Sequence, residues 1–200
     1  MDTRLRKIVV GGVFSALIIV LGITGLGFIP LPAVSATILQ VPVIIAAILE
    51  GPVVGFCTGL LFGLFSIMQA ANIGTGPVDM AFLNHPWLAI IPRVLIGPAA
   101  WLIYSLVSGS FFNNTKTIPA TRESVAIGAG AVTGSLVNTA LVLSGLTLVL
   151  PELITWTAVL GALSVNGTAE AAFSAAISLM VILPWKGISR RGKSKLNSLS

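Results

Sequence analysis

Few residues in this chain of 200 can do chemistry, and most of them sit inside apolar runs. Arg93 interrupts Ile91-Pro-Arg-Val-Leu-Ile-Gly97, close after the only histidine, His85. Asn138, Asn166 and Glu170 stand in two further apolar stretches, and the last two are four apart, on one face of a helix. Gln40 enters another run, and Asn72 and Asn84 flank a short loop. A guanidinium is a planar fork of donors that matches a carboxylate. Carboxamides offer both donors and acceptors. The set therefore points to binding of a small acid. Two other readings of Arg93 stay open: it neutralises Glu170, or it snorkels to an interface. His85 is expected as an interface residue or loop cap rather than a ligand contact.

Catalysis is poorly supported. The chain has no H-E-x-x-H, no aspartate pair at helical spacing, no G-x-S-x-G and no phosphate loop, so it is expected neither to be an enzyme nor to hydrolyse ATP itself. Its one cysteine, Cys57, lies in an apolar segment and reads as a small buried core residue. It can form no disulfide within the chain, and no Cys/His cluster is present to hold a metal.

The elements that position these residues follow from composition. The chain is 56% hydrophobic and 8% charged, with a mean hydropathy of +1.03. Soluble domains carry about 25% charged residues, so this chain cannot cover a water-facing surface. It reads as an all-α integral membrane protein, with six transmembrane helices in one compact bundle. About 20 apolar residues cross a bilayer. The expected spans are Ile8–Phe28, Thr37–Leu49, Pro52–Ala71, Trp87–Val107, Val125–Leu150 and Thr157–Leu183. The second is short, and needs either extension by the preceding loop or shielding by its neighbours. Residues 1–185 form the membrane domain and 186–200 a basic cytoplasmic tail.

The net charge of +5 does not mark nucleic-acid binding, because the basic residues sit in flanks of apolar runs. With the N-terminus inside, Arg4, Arg6, Lys7, Lys116, Arg122, Lys186, Arg190, Arg191, Lys193 and Lys195 all fall on the inner side. The outer loops hold no Lys or Arg. That split predicts both termini in the cytoplasm of a cell-membrane protein. The outer loops Thr24–Thr37 and Asn72–Pro86 carry Gly and Pro and almost no charge, which suits lids or plain connectors. The polar residues lie mostly in the outer half or at mid-depth, so they predict one pocket open to the outside. An ionised group at the bilayer centre costs about 2.5–3.5 kcal/mol on insertion scales, which is why Arg93 and Glu170 are expected to face a cavity or each other.

Small residues predict close helix packing. Gly51, Gly55, Gly59 and Gly63 line one face of the third span, and Gly130 and Gly134 recur in the fifth. The first span holds Gly12-Val-Phe-Ser-Ala16. A structural assembly protein built on such ridges, or a small channel, also fits the composition. A self-sufficient secondary transporter fits less well, since these commonly have paired repeats and the chain shows none.

Taken in order along the chain, these pieces carry a resemblance. They are the basic N-terminus running into Gly12-Val-Phe-Ser-Ala16, the run from Ala36 through Glu50-Gly-Pro52 to Gly55, Ile91-Pro-Arg-Val-Leu-Ile-Gly97, Asn138-Thr139, and Asn166-Gly-Thr-Ala-Glu170. The chain resembles the substrate-binding S component of energy-coupling factor (ECF) vitamin transporters over nearly its whole length. The resemblance implies six helices, with a vitamin bound near the outer side by helices four to six and the loop after helix one. It implies docking of helix one, here through Gly12 and Ala16, on a membrane T component joined to two cytosolic ATPases. Gly12 stands where alanine is common in the family. ATP is then used by the partners, with no cofactor in this chain, and the vitamin is released inside after toppling of the S component. The Pro-Arg and Asn-Thr pieces look most like pantothenate-specific members. By that resemblance Arg93 meets a carboxylate, and Asn138, Asn166, Glu170, Gln40, Asn72 and Asn84 complete the site. Niacin, lipoate, riboflavin and hydroxymethylpyrimidine remain alternative ligands.

Overall fold

The computed structural model describes residues 3–29, 36–73, 76–110, 118–152 and 155–197. Lys116, the middle of the first outer loop and residues 74–75 of the third lie outside them. The order is α1 (Thr3–Ile23), β1 (Phe28–Ile29), β2 (Ala36–Thr37), α2 (Gln40–Glu50), α3 (Pro52–Ile73), α4 (Pro77–Asn84), α5 (Pro86–Ser108), α6 (Ala120–Val149), α7 (Trp156–Ala162), a π turn (Leu163–Gly167) and α8 (Thr168–Asn197). β1 and β2 are one antiparallel pair, Phe28 opposite Thr37. Five of these helices are long and apolar enough to cross a membrane, and α2 is a shorter apolar helix.

Helix ends follow local chemistry. α2 stops at Gly51, whose φ of 101° suits glycine and whose N–H donates to Ala47 O at 2.9 Å. Pro52 then opens α3, where its missing N–H costs nothing. Pro92 and Pro98 lie inside α5; spanning helices tolerate this when neighbours satisfy the freed backbone. α4 falls in the stretch expected as an outer lid or plain connector. Pro77 begins it, and Asp79 Oδ2 accepts the Gly76 N–H at 3.1 Å, which caps its first turn. α8 continues past residue 186 to Asn197. After Pro184 no proline stops the helix, and basic residues favour a helix C-terminus.

Eleven helical residues reach only about 17 Å, too short for a hydrocarbon core of roughly 30 Å. α2 is instead enclosed: it packs against α1, α3, α5, α6 and α8. Val43, Ile44, Ala46 and Ala47 are fully buried. Of the two ways out for the short second span, shielding is the one found. α1 packs on α2 and α3 at the edge of the bundle and leaves Ile8, Val9, Val13, Val20 and Ile23 exposed. Such a surface suits lipid tails.

Glycines set the helix crossings. A Cβ on Gly55 would lie 2.5 Å from Ala47 Cβ, and one on Gly59 2.3 Å from the Arg93 carbonyl oxygen. One on Gly130 would lie 2.7 Å from Ala100 O. These ridges therefore serve packing of α3 and α6 on α5 and α2. Cys57 corrects an expectation: it is exposed, not buried. An apolar residue in a membrane helix can face lipid as well as the core.

Ion pairs gather at one end of the bundle. Arg6 Nη2 lies 2.7 Å from Glu50 Oε1. Lys186 Nζ pairs with Glu123 Oε1 at 3.0 Å and donates to the Tyr104 hydroxyl. Arg122 Nε donates to Val107 O at 2.8 Å.

Candidate ligand-binding site

At the opposite end lies a cavity of about 160 Å³, lined by Thr37, Arg93, Asn138, Thr139, Val142, Leu143, Ala162, Asn166 and Glu170. Five elements meet there: the end of β2, the first half of α5, the second half of α6, α7 with its π turn, and the start of α8.

Arg93 is 8% exposed. It sits two turns into α5, held because α3 offers only Gly59 opposite its backbone. Its Nη1 donates to Leu88 O at 3.1 Å. Its guanidinium carbon lies 4.9 Å from the Phe82 ring centre and 5.6 Å from that of Phe62, within cation–π range. Its Nε is buried without a partner. The side chain is thus held in the protein and does not reach out to an interface.

Glu170 ties the site together. Its Oε1 accepts the Thr37 N–H at 3.0 Å, and its Oε2 accepts the Thr139 hydroxyl at 2.7 Å. One carboxylate so joins β2, α6 and α8. No carboxylate of the described residues comes within ion-pairing distance of the Arg93 guanidinium. Glu170→Ala should lower stability by about 2 kcal/mol, because it strands a buried N–H and a hydroxyl. Glu170→Gln keeps an acceptor for Thr37 and should cost less than half of that. Thermal unfolding in one detergent checks both.

Asn138 Nδ2 donates to Gln40 Oε1 at 2.8 Å. Asn138 Oδ1 and Asn166 Oδ1 are buried without a partner. Asn166 lies in the π turn; such turns occur often at functional sites. Gln40 is fully buried behind the wall and does not line the cavity. Asn72 is exposed at the end of α3, where its Nδ2 donates to Met68 O at 2.8 Å. Asn84 is exposed at the end of α4. Neither Asn72 nor Asn84 joins the cavity. His85 lies between α4 and α5, edge-on to Trp87 at 6.3 Å.

Sequence reasoning passed over Thr37, Ser135 and Ser174. A signal for Ser174 existed: Asn166, Glu170, Ser174 and Ser178 recur every four residues. Ser174 and Ser178 are both fully buried. Thr37 contributes through its backbone N–H, which no side-chain pattern announces.

A helical bundle with an apolar surface around a small cavity lined by several polar side chains has the build of a multi-pass membrane protein. Its family can be given as well. The family model of the ECF transporter substrate-specific component matches residues 6–182, and the chain belongs to that family. It is a transporter component of the cell membrane, not an enzyme. Such components bind a small substrate and work with a membrane T component and ATPases. No curated protein matches the chain.

Proposed function

We propose that this chain is the pantothenate-binding subunit of an ECF importer. The observation that carries the reading is the pairing in one cavity of a buried guanidinium, its Nε unpartnered, with two unpartnered carboxamide oxygens. Pantothenate brings a carboxylate for the first, and hydroxyls and an amide N–H for the others. A volume of about 160 Å³ lies below the range of roughly 300–1,000 Å³ of drug-sized ligand sites. That favours a small ligand over one as large as riboflavin.

The cavity opens outward in this reading. The end that carries Arg6, Arg122 and Lys186 takes the cytoplasmic side by the positive-inside rule, with both termini there. The vitamin then passes inside after docking on the T component and two ATPases. Gly12 and Ala16 are exposed on α1, and a Cβ on Gly12 would meet nothing within 4 Å. That leaves them available as a docking face. Gly12→Leu should therefore leave pantothenate binding within about twofold and melting within about 0.5 kcal/mol of wild type. It should sharply reduce copurification of the T component. Retained copurification would remove Gly12 from that face.

Calorimetric titration of the purified protein with pantothenate tests the ligand, with niacin, riboflavin and biotin as controls. Saturable one-to-one binding of pantothenate alone supports it. Binding of another vitamin reassigns the ligand. No binding across the panel favours a structural membrane protein.

A further inference from the structure

The groups behind the cavity set which way one of its amides faces. Gln40 opens α2 and is fully buried. Its Nε2 donates to Ser135 Oγ at 2.7 Å and to Ser174 Oγ at 3.4 Å. That leaves Gln40 Oε1 as an acceptor, and Asn138 Nδ2 donates to it at 2.8 Å. Asn138 spends one of its two amide hydrogens on this bond, and its Oδ1 has no protein partner. Asn166 Oδ1 is in the same state. Buried polar atoms without partners are rare in folded proteins, and among the described residues two of the four such side-chain atoms are carbonyl oxygens of cavity-lining residues.

We infer that Gln40 is a positioning residue: anchored on Ser135 and Ser174, its Oε1 holds the Asn138 side-chain amide in the cavity wall. The inference rests on the ligand-binding reading above and deepens it. Gln40 acts through Asn138 and touches no ligand.

Two variants separate positioning from packing. Gln40→Met keeps volume and loses the hydrogen bonds. Gln40→Glu keeps an acceptor for Asn138, and the serine hydroxyls can turn to donate into its other oxygen. The first measurement needs no ligand: hydrogen exchange of the Asn138 side-chain amide in detergent, with ¹⁵N-labelled asparagine. The Asn138 protons are protected in the wild type and in Gln40→Glu, and exchange roughly tenfold faster in Gln40→Met. Equal exchange in the wild type and Gln40→Met overturns the inference.

The second measurement is a double-mutant cycle read by pantothenate titration. Gln40→Met weakens binding about fivefold, the worth of one hydrogen bond. In Asn138→Ala the same change adds nothing, because no amide is left to orient. Gln40→Glu stays within about twofold of the wild type. Losses that multiply in the double mutant would mean a packing role and overturn the inference. Protected Asn138 protons in a protein that does not bind pantothenate would refute the vitamin and leave the role of Gln40 standing.

Discussion

Arg93→Ala should bind pantothenate, the proposed ligand, roughly a hundredfold more weakly than the wild type, with the protein still folded. A hydrogen bond to a charged group is worth about 1.5–3 kcal/mol, and the substitution removes the only guanidinium in the cavity wall. The side chain is already organised for the task. Its bond to Leu88 O at 3.1 Å and the flanking rings of Phe62 and Phe82 hold the guanidinium before any ligand arrives. Little rotamer entropy is therefore lost on binding. Arg93→Lys keeps the charge but not the fork, and should recover about a tenth of the affinity. The fold should tolerate the loss because the closest approach of α5 to α3 at this level is made by backbone, with Gly59 against the Arg93 carbonyl. Calorimetry reads the affinity and thermal unfolding the fold. Unchanged affinity in Arg93→Ala would take the residue out of the site.

Gly97→Ala is the substitution expected to cost most in stability, about 3 kcal/mol. α3 and α5 cross closely at Gly97, as they do at Gly59. A Cβ there would lie 2.5 Å from the Gly55 carbonyl carbon, 2.6 Å from its Cα and 2.7 Å from its oxygen. All three are backbone atoms, so no side chain can turn away and the helices must part. For a domain of this size the loss corresponds to a melting drop of roughly 10 °C. The effect reaches the site, because α5 carries Arg93 four residues earlier, one turn away. Ligand affinity should fall with stability in this variant, unlike Gly12→Leu, which changes neither. A melting temperature within about 1 °C of wild type would show that the crossing relaxes freely.

Much of the architecture was legible in the chain alone. Apolar runs near 20 residues and the flanking basic residues located the long helices to within a few positions at most ends. Trp87–Val107 became Pro86–Ser108, and Pro52–Ala71 became Pro52–Ile73. These signals work because lipid imposes a length and a polarity on each segment separately. The sixth span was harder. It reads as one apolar run, yet it breaks into α7, a π turn and α8, since hydropathy does not register a change of helical pitch. The four-glycine ridge predicted close packing, but not that its partners are Ala47 and the backbone of α5.

The site divides in the same way. Arg93, Asn138, Asn166 and Glu170 stood out because a polar group in an apolar run needs a reason, and all four line one cavity. Asn72 and Asn84 stood out less sharply, near a loop where polar residues need no reason, and they lie at the surface. By itself the sequence determined that this is a helical membrane protein, and which of its buried polar residues are costly enough to need a purpose. Only the tertiary structure decided that Gln40 stands behind Asn138, that Glu170 holds the Thr37 backbone, and that Arg93 stays unpaired with Glu170. Those outcomes depend on how each helix is rotated and how closely glycines let the backbones approach. Both are properties of contacts between segments far apart in the chain.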